Sequence, residues 1–509
     1  MGDTTAGWLS AAYLAAVLGR TVEVTVLETG QDAAAHGGVQ ALPPETQSML
    51  FDRIGIPESD WMRACDASFR VATRYSHWRT QGPTRWADRQ LPSGGLDRFY
   101  DPVGDSRTRI SGFPLPYFWA RRRSSARTLE PLDRACFREP PLLDARKAPR
   151  WLDGRAALPY GWHVDGRLFV AYLRRLSLRG AGVRTVRGTP QGVERDAQGH
   201  VFALVTTGGL RITGDFFLDC TGARATLLAG ALGEPRAGDG DRSLCDEVVT
   251  LTAPAGRAGI APYTSLLATP DGWLWRMPLP GRTGVGRVYA SAFTRPESAA
   301  RELAELCGLD PSTADVSVHP LPQGRSRRTW VKNVLAVGGS AHTVEPLDSA
   351  AEVRGVLAAL RGLVRHFPSA DAREAPAARF NREAELRHEA ERDFVQLHHA
   401  AGPRRDSPFL RAQSSLPVSA AVEDRMAAHR EGHPLCGARE VRQYALLAAL
   451  DSALPAVPPA LAHLRAERRE ADEHFARIAR QQRILGETLP TASAYLARLH
   501  GTRGPIHAE

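Results

Sequence analysis

The sequence predicts an α/β fold. A Rossmann-like dinucleotide-binding domain is assembled from separated pieces, a β-rich substrate platform is inserted into it, and an α-helical C-terminal subdomain follows. Three observations predict this. They are a glycine turn within Met1 to Glu28, a strand-after-strand stretch from Asp246 to Ser291, and 3.6-residue apolar spacing through most of the chain after Ala372.

The first stretch, MGDTTAGWLSAAYLAAVLGRTVEVTVLE, has the form of a βαβ unit. Gly2, Thr4 and Gly7 fall at the three positions of a G-x-G-x-x-G turn. Trp8 to Leu18 is an apolar helix, and Thr21 to Leu27 is a β-branched strand ending in Glu28. In such units the first glycine makes the tight turn and the second lets the backbone approach the diphosphate. The third allows close helix–strand packing, and the acid takes a ribose hydroxyl. Here the second glycine is Thr4, whose Cβ and hydroxyl are expected to stand where the diphosphate lies. The strand that precedes the turn in an intact unit falls before Met1. A central parallel strand is buried on both faces and its loss should unfold the domain. The expectation is therefore a misplaced start codon, with a genuinely altered domain as the alternative. A signal peptide is rejected, because no basic residue precedes the apolar run and Asp3 stands where a positive charge belongs.

At 509 residues the chain has room for about two to three structural units and a large core. No apolar run approaches the about 20 residues of a membrane span, and a cytoplasmic location is expected. Six cysteines (Cys65, Cys136, Cys220, Cys245, Cys307 and Cys436) show no C-x-x-C spacing. That argues for buried thiols in a reducing compartment and against a zinc site or a disulfide framework. The net charge of +9 is carried by arginine, Lys147 and Lys332 being the only lysines. Basic residues interleave with acids and form no arm, which excludes nucleic acid and leaves an acidic carrier protein or an anionic substrate as partners.

Along the chain, a Pro-initiated helix through Leu50 to Ile54 is followed by a turn at Gly55–Pro57, a helix Ser59 to Ala64 and an alternating strand Phe69 to Trp78. Residues 80–150 are rich in Pro, Gly and Arg, and so long an irregular stretch points to a lid or binding loop. Tyr160 to Arg179 is expected as a helix and Val183 onward as a β-meander. Asn333 to Gly338 is a short apolar run feeding the turn GGSAHTVEPLDSAAEV and a helix through Arg365. Helices are expected at Ala372 to Ala400, Ala438 to Leu454 and Ala460 to Ile484.

Two further segments join the first as carriers of chemistry. DFFLDCTGAR, Asp215 to Arg224, is a strand running into a turn at Thr221 and Gly222. Gly338 to Ser349 is a strand-to-helix turn that presents backbone N–H groups to an anion or a ring carbonyl. In this order the three resemble FAD/NAD(P)-binding flavoproteins of the aromatic-hydroxylase type. Gly272 to Pro278 reads GWLWRMP, which resembles the W-x-W-x-I-P signature of the flavin-dependent halogenases of the tryptophan halogenase family, with Met277 in place of isoleucine. LFDRIGIPESDWMRACDASFRVATRYSHW, GRSRRTWVKNVLAVG, VEPLDS and RDFVQLHHA are similar to the same family, and the resemblance fades after about residue 440.

The resemblance implies reduced FAD supplied by a separate flavin reductase, together with O₂ and chloride or bromide. Hypohalous acid then travels down a tunnel to a lysine and a glutamate beside the substrate. Such an oxidant is indiscriminate, so specificity comes from where it is delivered. Carried over position by position, Gly2, Thr4, Gly7, Glu28, Thr221, Gly222, Gly338, Gly339, Ala350 and Ala351 would contact the cofactor. Trp273, Trp275, Pro278, Tyr100, Asp101, Val103, Glu345 and Pro346 would line the tunnel or substrate pocket.

Several of these positions depart from the family. The lysine is Arg70, whose permanently charged guanidinium cannot attack as a free amine but still donates hydrogen bonds. The glutamate before Ser349 is Asp348, one methylene shorter, and a displacement of about 1 Å at a reacting centre costs on the order of 10²-fold. The Thr-Gly pair near the halide is Ala350-Ala351, and Ala351 is unwelcome if that position needs a positive φ or a close approach. The loop that sandwiches indole in the tryptophan-specific enzymes reads Tyr100-Asp101-Pro102-Val103-Gly104, without the stacking platform. Arg70, Asp348 and Ser349 are the expected catalytic residues. His342, at the flavin turn, is a weaker candidate, and His398-His399 reads as a solvated or core pair. Arg121 to Arg123 reads as a solvated face or a carrier-protein contact.

The expected function is an FAD-dependent halogenase-family oxidoreductase, a halogenase or monooxygenase, tailoring a free or carrier-bound secondary metabolite and distinct from a standard tryptophan halogenase. The alternative is a flavin-independent redox-neutral catalyst such as a cyclase, or a non-catalytic partner, with FAD binding impaired or lost. The expected domains are residues 1–60, 155–235 and 330–365 for FAD, 61–154 and 236–329 for the platform, and 366–509 for the helical subdomain.

Overall fold

Ala and Leu dominate the helix Thr5–Leu18, and its first ten residues are buried all round, as befits a helix inside an α/β layer. Thr4 caps it, its hydroxyl accepting from the Gly7 N–H at 3.3 Å, and Gly19 ends it at φ +57°. In this computed structural model the described residues are 1–30, 38–81, 97–104, 108–125, 130–179, 182–256, 258–368, 374–435, 438–450 and 456–501. Cys436, residues 82–96 of the expected lid and residues 451–454 of the expected helix lie outside them.

The chain forms two compact units. The first comprises Met1–Ala67, Val164–Gly240 and Pro320–Arg392; the second comprises Ser68–His163, Asp241–His319 and Asp393–Glu509. The helical C-terminal third is thus divided between them.

In the first unit the strand Val24–Glu28 pairs in parallel with Val183–Arg187, and Phe217–Asp219 pairs in parallel with Val334–Ala336. Met1 and Gly2 stand between the two pairs. The Met1 amino group donates to the Leu218 carbonyl at 2.7 Å, the Cys220 N–H to the Met1 carbonyl at 2.9 Å, and the Gly2 N–H to the Leu27 carbonyl at 3.1 Å. Next to them, Val24 to Leu27 and Phe216 to Leu218 line a cavity of about 1580 Å³. Helices Gly166–Arg179 and Ala351–Arg365 pack against Thr5–Leu18. Tyr160 to Arg179 is not one helix, because Gly161–Asp165 is a strand and the helix begins at Gly166. Its β-branched and aromatic residues (Trp162, Val164) take the strand, and Asp165 caps the helix by accepting from Leu168 N–H at 3.0 Å.

The second unit is built on a seven-stranded sheet. Its order is Val316–Pro320, Glu247–Pro254, Arg282–Tyr289, Gly272–Pro278, Tyr263–Thr269, Ala72–Ser76 and Arg98–Pro102. The expected platform strands 247–289 are all in it, and the expected strand Phe69 to Trp78 is two, Ser68–Arg70 and Ala72–Ser76. Helix Pro296–Leu306 buries Ala299, Leu303 and Ala304 against Val249, Leu251, Leu274 and Val285 of the sheet. The stretch 80–150 is not an irregular lid where it is described. Leu115–Ser125, Leu132–Cys136 and Glu139–Asp144 are helices, and Tyr117, Phe118, Trp119 and Leu132 share one apolar core with Tyr444, Leu461 and Phe475.

Candidate active site

In the first unit, the turn between Met1 and Thr5 is shaped by close approach. A Cβ on Gly2 (φ +109°) would lie 2.5 Å from the Cys220 carbonyl oxygen, and one on Gly7 would lie 1.9 Å from the Gly2 oxygen. Neither position admits any other residue without moving backbone. Thr4, whose Cβ and hydroxyl are expected where a diphosphate lies, makes its hydrogen bonds within the turn. Its Oγ1 is folded inward, donating to the Cys220 carbonyl at 3.1 Å while accepting from Gly7.

Glu28 ends its strand as expected. Burial pushes its carboxyl up, but hydrogen bonds from Arg174 (2.6 Å) and Arg187 (3.1 Å) outweigh this and hold it below the usual carboxylate range.

The second and third segments meet at Asp219, which the motif reading passed over. Its buried carboxylate accepts from Thr221 N–H and Oγ1 (3.1 and 2.6 Å), from the N–H groups of Leu227 and Leu228 (2.8 and 2.9 Å) and from Ser340 Oγ (3.2 Å). Five donors fix the Thr221-Gly222 turn against Gly338-Gly339. There Gly338 adopts φ +67°, and a Cβ on Gly339 would meet the Gly222 Cα at 3.2 Å. An acid following a strand and preceding a Thr-Gly turn is the signal that could have found it. His342 points away to helix Glu374–Ala401, its Nε2 lying 2.8 Å from Glu391.

Asp348 sits in the same unit at the mouth of helix Ala351–Arg365. Its Oδ1 accepts from Ala350 N–H at 3.2 Å, and Arg354 reaches back to it at 2.9 and 3.4 Å. Glu345, Leu347 and Asp348 are buried, and Pro346 and Ser349 are half-buried. Ala350 has φ −100° and Ala351 starts the helix, so neither adopts the positive φ that would have made a glycine necessary.

In the second unit, Arg70 is buried on the short strand Ser68–Arg70. Phe69, pointing the other way, packs edge-on against Tyr160 and Tyr495 (5.2 and 5.3 Å between centroids), which fixes the direction of Arg70. Arg70 Nη2 donates to Thr73 Oγ1 at 3.2 Å. Ser68 pairs with His163 across the strands and donates through Oγ to the Pro278 carbonyl at 2.5 Å. The His163 ring, fully buried, meets Thr264 Oγ1 at 2.8 Å; burial, reinforced by the Arg70 charge, pushes its pKa down to about 3, so it is neutral at pH 7.

Thr73 and Tyr75 share a sheet face by the period of two, and Tyr75, Leu266, Trp275 and Gly286 stand in one cross-strand row. Arg70 therefore reaches the same face as Trp273 and Trp275. Trp275 lies flat on Gly286, where a Cβ would come within 2.3 Å of the indole.

Tyr100 and Asp101 are on the edge strand Arg98–Pro102 rather than in a loop. The Tyr100 hydroxyl donates to Asp144 at 2.8 Å and Asp101 is ion-paired with Arg442, while Val103 N–H donates to the Val71 carbonyl at 2.8 Å. His398 is a core residue, its Nδ1 bonded to the Phe394 carbonyl at 2.9 Å and its ring 4.8 Å from Tyr75. Arg122 lies over Phe475 and Arg123 over Trp119. Among the described residues no cluster suits a metal ion, and no helix is long and apolar enough to cross a membrane.

The turns around Gly2, Gly7, Gly222 and Gly338 are thus bare backbone, at positive φ or packed closely on neighbouring atoms, and the platform seats a buried cation on a tryptophan-bearing face. Proteins named for a known activity are similar to this chain along almost its whole length. Tryptophan 7-halogenase RebH of Lentzea aerocolonigenes is 36% identical over 523 residues, covering 98% of both chains. Tryptophan 6-halogenase ThaL of Streptomyces albogriseolus is 36% identical over 525 residues, again with 98% of each chain covered. The crystal structure of the tryptophan 6-halogenase SttH from Streptomyces toxytricini superposes with a TM-score of 0.87 at 30% identity, over 97% of this chain and 98% of that one. The family model described as tryptophan halogenase matches residues 1–489, and the chain belongs to that family of flavin-dependent halogenases.

Proposed function

We propose that this protein halogenates an electron-rich aromatic small molecule of secondary metabolism, using FAD reduced by a separate reductase, and that its substrate differs from free tryptophan. The observation that carries this reading is Arg70, a buried cation on the Trp273 and Trp275 face of the platform at the family's lysine position.

The first unit's turns fit FAD. Gly2, Gly7, Gly222, Gly338 and Gly339 are held by close approach or positive φ, and the start of helix Thr5–Leu18 offers N–H groups to a diphosphate. Bound and reduced, the flavin supplies the electrons through which O₂ oxidises halide to an electrophilic halogen. Arg70 acts as a hydrogen-bond donor that holds and polarises that electrophile, and never as a free amine. Asp348, held in place by Arg354, takes the proton from the substituted ring carbon. The strand position of Tyr100 and Asp101 supports a substrate other than tryptophan, because both side chains are engaged with Asp144 and Arg442 rather than presented as a stacking platform.

A second reading, a flavin-independent redox-neutral catalyst, draws on one observation: both Glu28 oxygens are taken by arginines, with which a ribose would compete. Purification followed by FAD titration separates the two. A flavin absorbance band, a rise in Tm with FAD, and a halogen-for-hydrogen mass change in an indole, phenol and pyrrole panel with bromide and a flavin reductase are expected. A colourless protein whose Tm ignores FAD, with no halogenated product, contradicts the halogenase reading.

A further inference from the structure

The platform sheet has a second polar feature, on the face turned away from Arg70. Thr73, which accepts from Arg70, and Arg74 are consecutive on one strand and so point to opposite faces. Arg74 pairs with Ser265 and Ser265 with Arg276, so two arginines flank one serine in a cross-strand row.

These side chains line a cavity of about 20 Å³ together with Arg146, Tyr263 and Thr283. Gly259 to Ala261 border it, tied there by Arg146, whose Nη1 donates to the Gly259 carbonyl at 3.0 Å and to the Ala258 carbonyl. The volume exceeds the roughly 10–15 Å³ that one water-sized guest requires.

Among the described residues the lining is one-sided in charge, with three arginines and no acid. It is also rich in donors. The Tyr263 hydroxyl accepts from Arg74 Nη1 at 2.9 Å, which leaves its own hydrogen to give. Thr283 Oγ1 is buried and has no hydrogen-bond partner, although the residue is only 1% exposed. Buried hydroxyls are almost always paired, and an orphan beside three guanidinium groups calls for an acceptor carrying negative charge.

We propose that this cavity binds one small inorganic anion of the halide class. The ion fastens Gly259 to Ala261 to the strand ends. It is distinct from any halide consumed in the reaction, since it sits on the sheet face opposite Arg70. A water molecule would also satisfy Thr283, and the two occupants are separable by experiment.

The probe is bromide. Thermal unfolding of the full chain is followed in sodium bromide against sodium gluconate at equal ionic strength, for the parent, Thr283→Val and Arg276→Gln. A saturable rise of roughly 2–4 °C is expected in the parent, reduced in both variants. Thr283→Val is isosteric, and circular dichroism checks that each variant is folded. Crystals of the parent grown in bromide should show an anomalous peak in contact with Thr283 Oγ1. The same bromide response in all three proteins, or a water and no anomalous signal at Thr283, overturns the proposal.

Discussion

Two residues decide how the candidate chemistry depends on pH and charge. Asp348 occupies the family's glutamate position, but its carboxylate is engaged by Arg354 from the first turns of the helix it precedes. The pair is partly exposed, so its worth to stability is modest, about 0.5–1 kcal/mol. In the proposed reaction its worth is larger, because Arg354 would hold the carboxylate that takes the proton. Arg354→Gln should lower kcat by about 10-fold or more with little change in KM, and Arg354→Lys should recover part of it; steady-state kinetics on the halogenated substrate checks this. The second residue is His163, whose pKa of about 3 lies below the ordinary 6.5 because burial and the Arg70 charge disfavour the imidazolium. A depressed folded pKa means that stability is full above about pH 6.5 and is lost as the pH falls toward 3. Melting temperatures between pH 7 and 4 should therefore fall more steeply for the parent than for His163→Gln. Neither device was legible in the sequence. The Asp348–Arg354 contact spans a turn and a helix start, and the burial of His163 depends on strand pairing with Ser68.

At the scale of elements, the platform strand Gly272–Pro278 shows what a motif means physically. The two tryptophans point to one face by the period of two, and Trp275 needs the bare backbone of Gly286 on the neighbouring strand. Gly286→Ala should cost about 1–3 kcal/mol and tilt the indole, read as a drop in Tm and a shift in tryptophan emission. An unchanged Tm would show that the ring has room to move. The glycine turn of the first unit was equally legible, since Gly2 and Gly7 are required by contacts of a Cβ with backbone. At Thr4 the sequence placed a hydroxyl in the turn without showing that it bonds to Cys220 and Gly7. The stretch 80–150 was misjudged. Its Pro, Gly and Arg content masks short helices whose apolar residues, Tyr117 to Trp119 among them, complete their core with residues as distant in sequence as Leu435, Tyr444, Leu461 and Phe475.

For the molecule as a whole, the family assignment rests on likeness along almost the entire chain, which includes the glycine turns and the tryptophan strand. What the likeness leaves open is carried by the departures: a guanidinium for an amine at Arg70, an aspartate held by Arg354, and Tyr100 and Asp101 tied into an edge strand. In the proposed reaction these would alter how an electrophile is held and what it meets, while the glycine turns keep their close approaches. The sharpest test replaces only the cation. With bromide, FAD and a flavin reductase, the brominated product formed per minute is measured for the parent, Arg70→Lys and Arg70→Ala. The Arg70→Ala rate should fall by about 10²-fold while Arg70→Lys keeps or gains activity. Equal product from the parent and Arg70→Ala would contradict the claim that this buried guanidinium delivers the halogen.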